Sequence, residues 1–150
     1  MGIIQTKWQR EQSRTEDGIF FGSDDCLPLE GGMDNGYTVG ERCPIADFIA
    51  SSPDAWCELV ETVVSRHERE DLSVHAGETS WEGEGFVAVV TASTGQLLWL
   101  LHLSTSEPFV ELEMDNDVIH AVSGGYPMRY EWSIPIRAPE RFTFESIVDP

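Results

Sequence analysis

The feature that most constrains the fold is a series of β-prone segments in the second half of the chain. Residues 86–91 and 97–103 are β-branched or almost wholly apolar, which predicts central strands buried on both faces. Residues 109–114 and 128–134 alternate between apolar and polar side chains, and the β-prone residues 118–122 lie between them. Because short, turn-forming connectors join antiparallel neighbours, the pattern predicts a meander of about five strands.

A second pattern, with helical period, covers residues 56–67. It follows residues 52–54, Ser-Pro-Asp, which are typical of a helix start: a capping hydroxyl, a proline in the first turn and an acid near the positive end of the dipole. We therefore expect an amphipathic helix that packs its stripe on the sheet. The stripe is Trp56, Leu59, Val60, Val63, Val64 and His67.

The first 50 residues give weaker signals. Residues 3–8 and 19–21 are β-prone around a polar turn, residues 22–44 resemble a surface loop, and residues 45–49 suit a short helix. The complete pattern predicts an α+β fold, an antiparallel β-meander of about five strands with a helical segment packed on one face. Residues 1–150 are expected to form a single domain.

The acidity of the chain restricts its partners. Twenty-seven acidic residues face nine basic ones, for a net charge of −18, and no Lys or Arg occurs between Arg69 and Arg129. Nucleic acids and anionic membranes need a positive footprint, so neither is expected as a partner. Three explanations of the acidity stay open: solubility, adaptation to high salt, and a surface matched to a basic partner.

Cysteine content and apolar run length indicate the compartment. The three cysteines are an odd number, and we find no secretory signal, so we expect reduced thiols and a cytoplasmic protein. The longest apolar run, residues 97–101, is too short to cross a bilayer.

No motif for catalysis or metal binding stands out. The sequence lacks a phosphate-binding loop, a dinucleotide fingerprint, a Cys-x-x-Cys pair and a Gly-x-Ser-x-Gly elbow. His67 lacks the second histidine of the zinc helix motif, and His102 and His120 have no evident nucleophile to serve. We therefore predict no catalytic residue, no metal ligand and no cofactor, and a protein that is not an enzyme.

The overall plan resembles that of bacterial toxin immunity proteins, the small cytosolic antidotes to polymorphic or contact-dependent toxins. The resemblance consists of one compact, very acidic domain with a helix followed by a meander from Phe86 to Ile134. Residues 97–103 are followed by an acidic strand and by a last strand that bears Tyr130 and Trp132. The resemblance implies that the chain binds and inhibits a cognate toxin domain, such as a basic nuclease. It transfers no specific residue to this chain.

Alternation in residues 109–114 predicts where such a partner would bind. Val110, Leu112 and Met114 share the core face, so Glu111 and Glu113 are expected to point outward. Acids there would stand in for phosphates, and an aromatic anchor among them would supply burial. The predicted partner-binding residues are Glu78, Trp81, Glu82, Glu84, Glu107, Glu111, Glu113, Asp115 and Asp117.

Two alternatives belong to other classes. The sheet could enclose a small-molecule cavity, as in cystatin-like or lipid-binding-like carriers and enzymes. The side chains expected to line it are Trp99, His102, His120, Tyr130 and Trp132. The chain could also be an acidic housekeeping protein of a salt-loving organism, in which case the acidity has no specific partner.

Overall fold

The computed structural model describes residues 2–80 and 83–148. These residues form thirteen β-strands, two short α-helices and one 3-10 turn at Pro139–Arg141. The helices are α1 (Ile3–Gln9) and α2 (Ile45–Ser51). The strands, in chain order, are β1 (Gln12–Arg14), β2 (Gly18–Phe21), β3 (Asp25–Gly32), β4 (Gly36–Val39), β5 (Cys43–Pro44), β6 (Trp56–Arg66), β7 (Leu72–Thr79), β8 (Gly85–Thr91), β9 (Leu97–Leu103), β10 (Phe109–Asp115), β11 (Val118–Gly124), β12 (Met128–Pro135) and β13 (Thr143–Val148).

The strands build two antiparallel sheets that pack as a β-sandwich. The larger sheet has nine strands in the order β1-β6-β7-β8-β9-β2-β3-β4, with β5 paired to β3. The smaller sheet is the meander β10-β11-β12-β13. The predicted α+β fold with one five-strand meander is therefore wrong. Strand β9 pairs with β8 on one edge and with β2 on the other, so β10 cannot pair with it. The chain therefore leaves the larger sheet after β9, and β10 begins the smaller sheet.

One hydrophobic core fills the space between the two sheets. The larger sheet contributes buried residues such as Val89 and Leu101, and the smaller sheet contributes Phe109 and Trp132. The rings of Phe109 and Trp132 are 5.4 Å apart between centroids, a distance at which aromatic pairs attract. The smaller sheet thus turns its apolar face toward the larger sheet.

A second core lies on the other face of the larger sheet, under the two helices. Ile4 of α1 and Ile45 of α2 belong to the same cluster as Phe86 and Leu100 of the central strands. Strands β8 and β9 are therefore buried on both faces, which confirms the prediction from their continuous apolar sequences.

The predicted helix at residues 56–67 is a strand instead. Strand β6 pairs with β1 and β7, and a β-bulge between Glu61 and Val63 shifts its register. Leu59 packs in the core under the helices, whereas Val63, beyond the bulge, packs toward the core between the sheets. An extra residue in a strand reverses the side of the sheet to which the following side chains point. The apolar residues of a bulged strand can therefore have the spacing expected of a helix.

Two further expectations in the first half of the chain are corrected. Residues 3–8, predicted as a strand, form most of α1, whose first backbone N–H groups at Ile3 and Ile4 bond to the Asp24 carboxylate at 3.0 and 2.9 Å. Residues 22–44 are not a loop but contain β3, β4 and β5. The short helix expected at residues 45–49 is confirmed as α2.

Candidate functional site

The outer face of the smaller sheet carries a row of carboxylates. In the register of the four strands, Glu111 of β10 is opposite Val122, Val122 is opposite Glu131, and Glu131 is opposite Glu145. The three glutamates are exposed. Because neighbouring strands are about 4.8 Å apart, these carboxylates lie in one row across the sheet, with Val122 between Glu111 and Glu131.

A second row runs beside the first. Glu113 is opposite His120, and His120 is opposite Ser133. We call the surface made by Glu111, Glu113, Glu131 and Glu145 the acidic face. An open groove of about 930 Å³ crosses it and is lined by these four glutamates with His120. The Arg129 guanidinium lies 3.6 Å from the Glu131 carboxylate.

Like charges on the acidic face are placed in direct opposition. Glu131 and Glu145 are cross-strand partners, an arrangement in which side chains are about 5 Å apart at Cβ and equal charges repel. The Arg129 guanidinium, 3.6 Å from Glu131, offsets part of this repulsion, and a cation from outside would offset more of it. A surface of this kind suits a positively charged ligand.

The predicted partner-binding residues are only partly brought together. Glu111 and Glu113 lie on the acidic face, and Asp115 and Glu107 are exposed at the end of β10 and just before it. Glu78 is half-buried on β7 of the other sheet. Trp81 and Glu82 lie outside the described residues.

Glu84 is removed from the predicted surface by burial. Its carboxyl group is hydrogen-bonded to His102 Nε2 at 2.8 Å, and the His102 ring is fully buried. The other ring nitrogen, Nδ1, donates to the Glu16 carbonyl at 2.9 Å, since a carbonyl can only accept. Glu84 therefore hydrogen-bonds to a buried histidine and is not part of the acidic face.

Asp117 also has a partner within the chain. It lies in a cluster with His67 and Glu70 whose ligand-type atoms are all within 4.8 Å of one another. Arg137 donates to both Glu70 oxygens at 2.8 and 3.0 Å and lies 3.9 Å from the Asp117 carboxylate. The single guanidinium thus offsets part of the negative charge of the two carboxylates.

The histidine of this cluster is engaged on both nitrogens. The backbone N–H groups of Arg69 and Glu70 donate to His67 Nδ1 at 3.1 and 3.0 Å, so Nε2 carries the proton and donates to the Asn116 carbonyl at 2.9 Å. Neither nitrogen offers a free lone pair. The cluster is a hydrogen-bonded corner between β6 and β10–β11, not a ready metal centre.

Among the cysteines, burial suppresses ionisation. The pKa of Cys57 is raised to about 11, mainly by burial and then by the Glu84 charge, and its thiol donates to the Ser13 carbonyl at 3.6 Å. Burial raises the pKa of Cys26 to about 12. A thiol with so high a pKa is a poor nucleophile at neutral pH.

The side chains proposed for an internal ligand cavity do not share one. Trp99 and Trp132 are buried between the sheets, where their indole N–H groups donate to the Ile136 carbonyl and the Ser123 hydroxyl, both at 2.8 Å. His120 is on the acidic face outside this core. The expected cavity is therefore occupied by the protein's own side chains.

Sequence reasoning missed half of the acidic face. Glu131 alternates with the apolar residues of β12, so its outward direction is readable, but Glu145 belongs to β13, which was not predicted. No family model, curated protein or solved structure matches this chain. None of the helices in residues 2–80 and 83–148 is long and apolar enough to cross a membrane.

Proposed function

We propose that this chain is a cytosolic immunity-type protein that binds a basic protein domain, such as a toxin nuclease, and blocks its activity. The observation that carries the proposal is the acidic face, with Glu131 set directly opposite Glu145. Arginine and lysine side chains of a partner would relieve this repulsion on binding. The acids would occupy the positions that nucleic acid phosphates take on such an enzyme.

Apolar side chains beside the acids support a protein ligand. Val110 is 49% exposed, Val122 stands between Glu111 and Glu131 in the strand register, and both side chains line the groove with the glutamates. An interface typically needs such anchors within a polar surround, because buried apolar contacts supply much of the affinity while charges supply the association rate. On the acidic face, apolar side chains and charged side chains lie next to each other.

A small-molecule ligand fits this surface less well. The groove volume lies within the range of ligand pockets, but ligand pockets are enclosed and mainly apolar. This groove is open and lined by four carboxylates. An open, charged groove of this kind suits the surface of another protein.

The proposal is tested with the product of the neighbouring gene as the candidate partner. The two proteins are purified, and association is followed by stopped-flow at several salt concentrations. We expect fast association that slows steeply with salt, because exposed charges are screened over about 8–10 Å at physiological ionic strength. Nuclease activity of the partner should fall in proportion to complex formed.

Matched charge reversals separate the acidic face from general acidity. Glu131→Lys with Glu145→Lys should slow association at least tenfold and flatten its salt dependence. The control is Asp54→Lys with Glu58→Lys, two exposed acids in the groove next to β1 and α2. It makes the same change in net charge and should alter association far less. Equal effects of the two double variants would contradict the proposed surface.

A further inference from the structure

Two of the three cysteines face each other across neighbouring strands. Cys26 on β3 and Cys43 on β5 are direct partners in the antiparallel register. Opposite residues in such a pair point to the same side of the sheet. Both side chains accordingly belong to the core under the helices, Cys26 fully buried and Cys43 half-buried at its edge.

The backbone hydrogen bonds show whether Cys26 and Cys43 are a hydrogen-bonded or a non-hydrogen-bonded antiparallel pair. The next pair along the strands is Asp25 with Pro44, and the Ile45 N–H donates to the Asp24 carbonyl at 2.8 Å beside it. Because proline has no N–H, Asp25 and Pro44 are the pair without mutual hydrogen bonds. Cys26 and Cys43 are then the hydrogen-bonded pair, about 5.5 Å apart at Cα, within the 4.4–6.8 Å that a disulfide spans. Such a pair is also about 5.5 Å apart at Cβ, so β5 must move about 1 Å toward β3 to reach the 3.5–4.5 Å of a disulfide.

The third cysteine lies outside this pairing. Cys57 is on β6, which pairs with β1 and β7 and not with β3 or β5. Its thiol donates instead to the Ser13 carbonyl at 3.6 Å. The chain therefore holds one dithiol and one isolated thiol, which acts as an internal control.

We propose that Cys26 and Cys43 form a reversible cross-strand disulfide by exchange with a low-molecular-weight disulfide such as oxidised glutathione. The Cys43 thiolate attacks one glutathione sulfur and releases the first glutathione. The Cys26 thiolate then attacks the Cys43 sulfur of the mixed disulfide and releases the second. Two thiol protons are lost, the two cysteines are oxidised, and one oxidised glutathione becomes two reduced ones.

The order of the two steps follows from exposure. Cys43 is the accessible partner, whereas Cys26 has no exposed surface. The pKa of Cys43 is raised by burial and by the charges of Asp47 and Asp25, so the thiolate fraction is small at neutral pH. The pKa of Cys26 is raised to about 12, so its attack on the mixed disulfide is the slower step. Both steps are therefore slow near pH 7 and faster in mildly alkaline solution.

The bond would fasten one of the helices to the sheet. Strand β5 leads directly into α2, and the carbonyls of Phe48 in α2 and of Ser52 just after it accept from the buried Arg14 at 3.2 and 2.8 Å. Closing the loop between Cys26 and Cys43 removes conformations from the unfolded chain. The oxidised protein should melt about 5–10 °C higher than the reduced protein.

The test is oxidation of the reduced full chain with glutathione disulfide at pH 8.5, independently of any binding partner. Free thiols in the unfolded product should fall from three to one, and peptide mapping without reduction should link Cys26 to Cys43. Cys57→Ser should form the same bond. Cys43→Ser should form no internal disulfide.

Three results would overturn the inference: three thiols that persist, glutathione adducts that never resolve, or links to Cys57 as frequent as the Cys26–Cys43 link. An oxidised protein whose Tm did not rise would overturn the fastening of α2. Reduction with dithiothreitol should restore three thiols and the lower Tm, which separates the disulfide from irreversible oxidation.

Discussion

The two sheets of the sandwich use their faces differently. The larger sheet is covered on both sides, so residues 85–90 of β8 are all buried, by the smaller sheet on one face and by the helices on the other. The smaller sheet packs only its inner face, and its outer face is open and acidic. Packing thus constrains almost every position in β8 but only alternate positions in β12. The side chains of the acidic face are free to serve binding because the core does not use them.

The largest expected effect tests the inner face of the smaller sheet. Trp132 is 1% exposed, its indole N–H donates to Ser123, and its ring is 4.6 Å from that of Phe144. Trp132→Ala should lower the free energy of unfolding by about 3–5 kcal/mol, because it leaves a cavity between the sheets. Glu131→Ala, the neighbour that points outward, should change it by less than about 0.5 kcal/mol. Urea denaturation followed by circular dichroism would show this contrast, and similar losses would mean that both faces are packed.

The parts of the fold that follow simple periodicity could be predicted from sequence. Strands β8 and β9 are continuous apolar runs of strand length, and β12 alternates without interruption, so each pattern matches one structure. Which sheet each strand joins could not be predicted. The connector between β9 and β10 is as short as a hairpin connector, yet it crosses from one sheet to the other.

The local irregularities of the chain explain the errors. At β6 the bulge places Leu59 and Val63 on opposite faces and leaves Val60 and Val64 44% and 50% exposed. A similar shift near Val110 leaves that residue 49% exposed although Leu112 and Met114 pack inward as predicted. Bulges depend on contacts with distant strands, so a local pattern cannot reveal them.

The second prediction tests whether the helices cover the larger sheet as firmly as the smaller sheet does. Leu59 is 8% exposed under α1, and its neighbour Val60 is 44% exposed on the other side of β6. Leu59→Ala should cost about 2–5 kcal/mol of stability, and Val60→Ala less than about 1 kcal/mol. A helix would have buried both residues in one stripe. Equal losses in thermal or urea unfolding would therefore restore the helical interpretation.

The third prediction concerns the bulge that turns β6 from one core to the other. A Cβ added at Gly77 would lie 2.1 Å from the Val60 carbonyl oxygen and 2.9 Å from the Thr62 nitrogen, both backbone atoms. Thr62 is the extra residue of the bulge, and its hydroxyl donates to the Phe109 carbonyl at 2.8 Å. Gly77→Ala should cost about 1–3 kcal/mol, as overpacking does.

The matched control for this substitution is Gly125→Ala. A Cβ at Gly125 meets nothing within 4 Å, so the change should be nearly neutral. Unfolding midpoints of the two variants give the comparison directly. If Gly77→Ala were as stable as Gly125→Ala, the close approach of β6 and β7 would have to relax without cost, and the bulge would not be fixed by this glycine.

The smallest expected effect tests the open side of the smaller sheet. Glu145 faces Glu131 across the strands, so Glu145→Gln removes one of two repelling charges and should raise stability by about 0.2–1 kcal/mol at low salt. Glu30→Gln is the control, because Glu30 is equally an exposed strand residue but faces the uncharged Thr38. Both variants lose one negative charge, so their difference isolates the Glu131–Glu145 pair from the general repulsion of a chain with a net charge of −18. The gain should shrink as salt screens the pair. A larger gain from Glu30→Gln would show that the acidic face carries no special electrostatic cost, and the reason for expecting a cationic partner there would be lost.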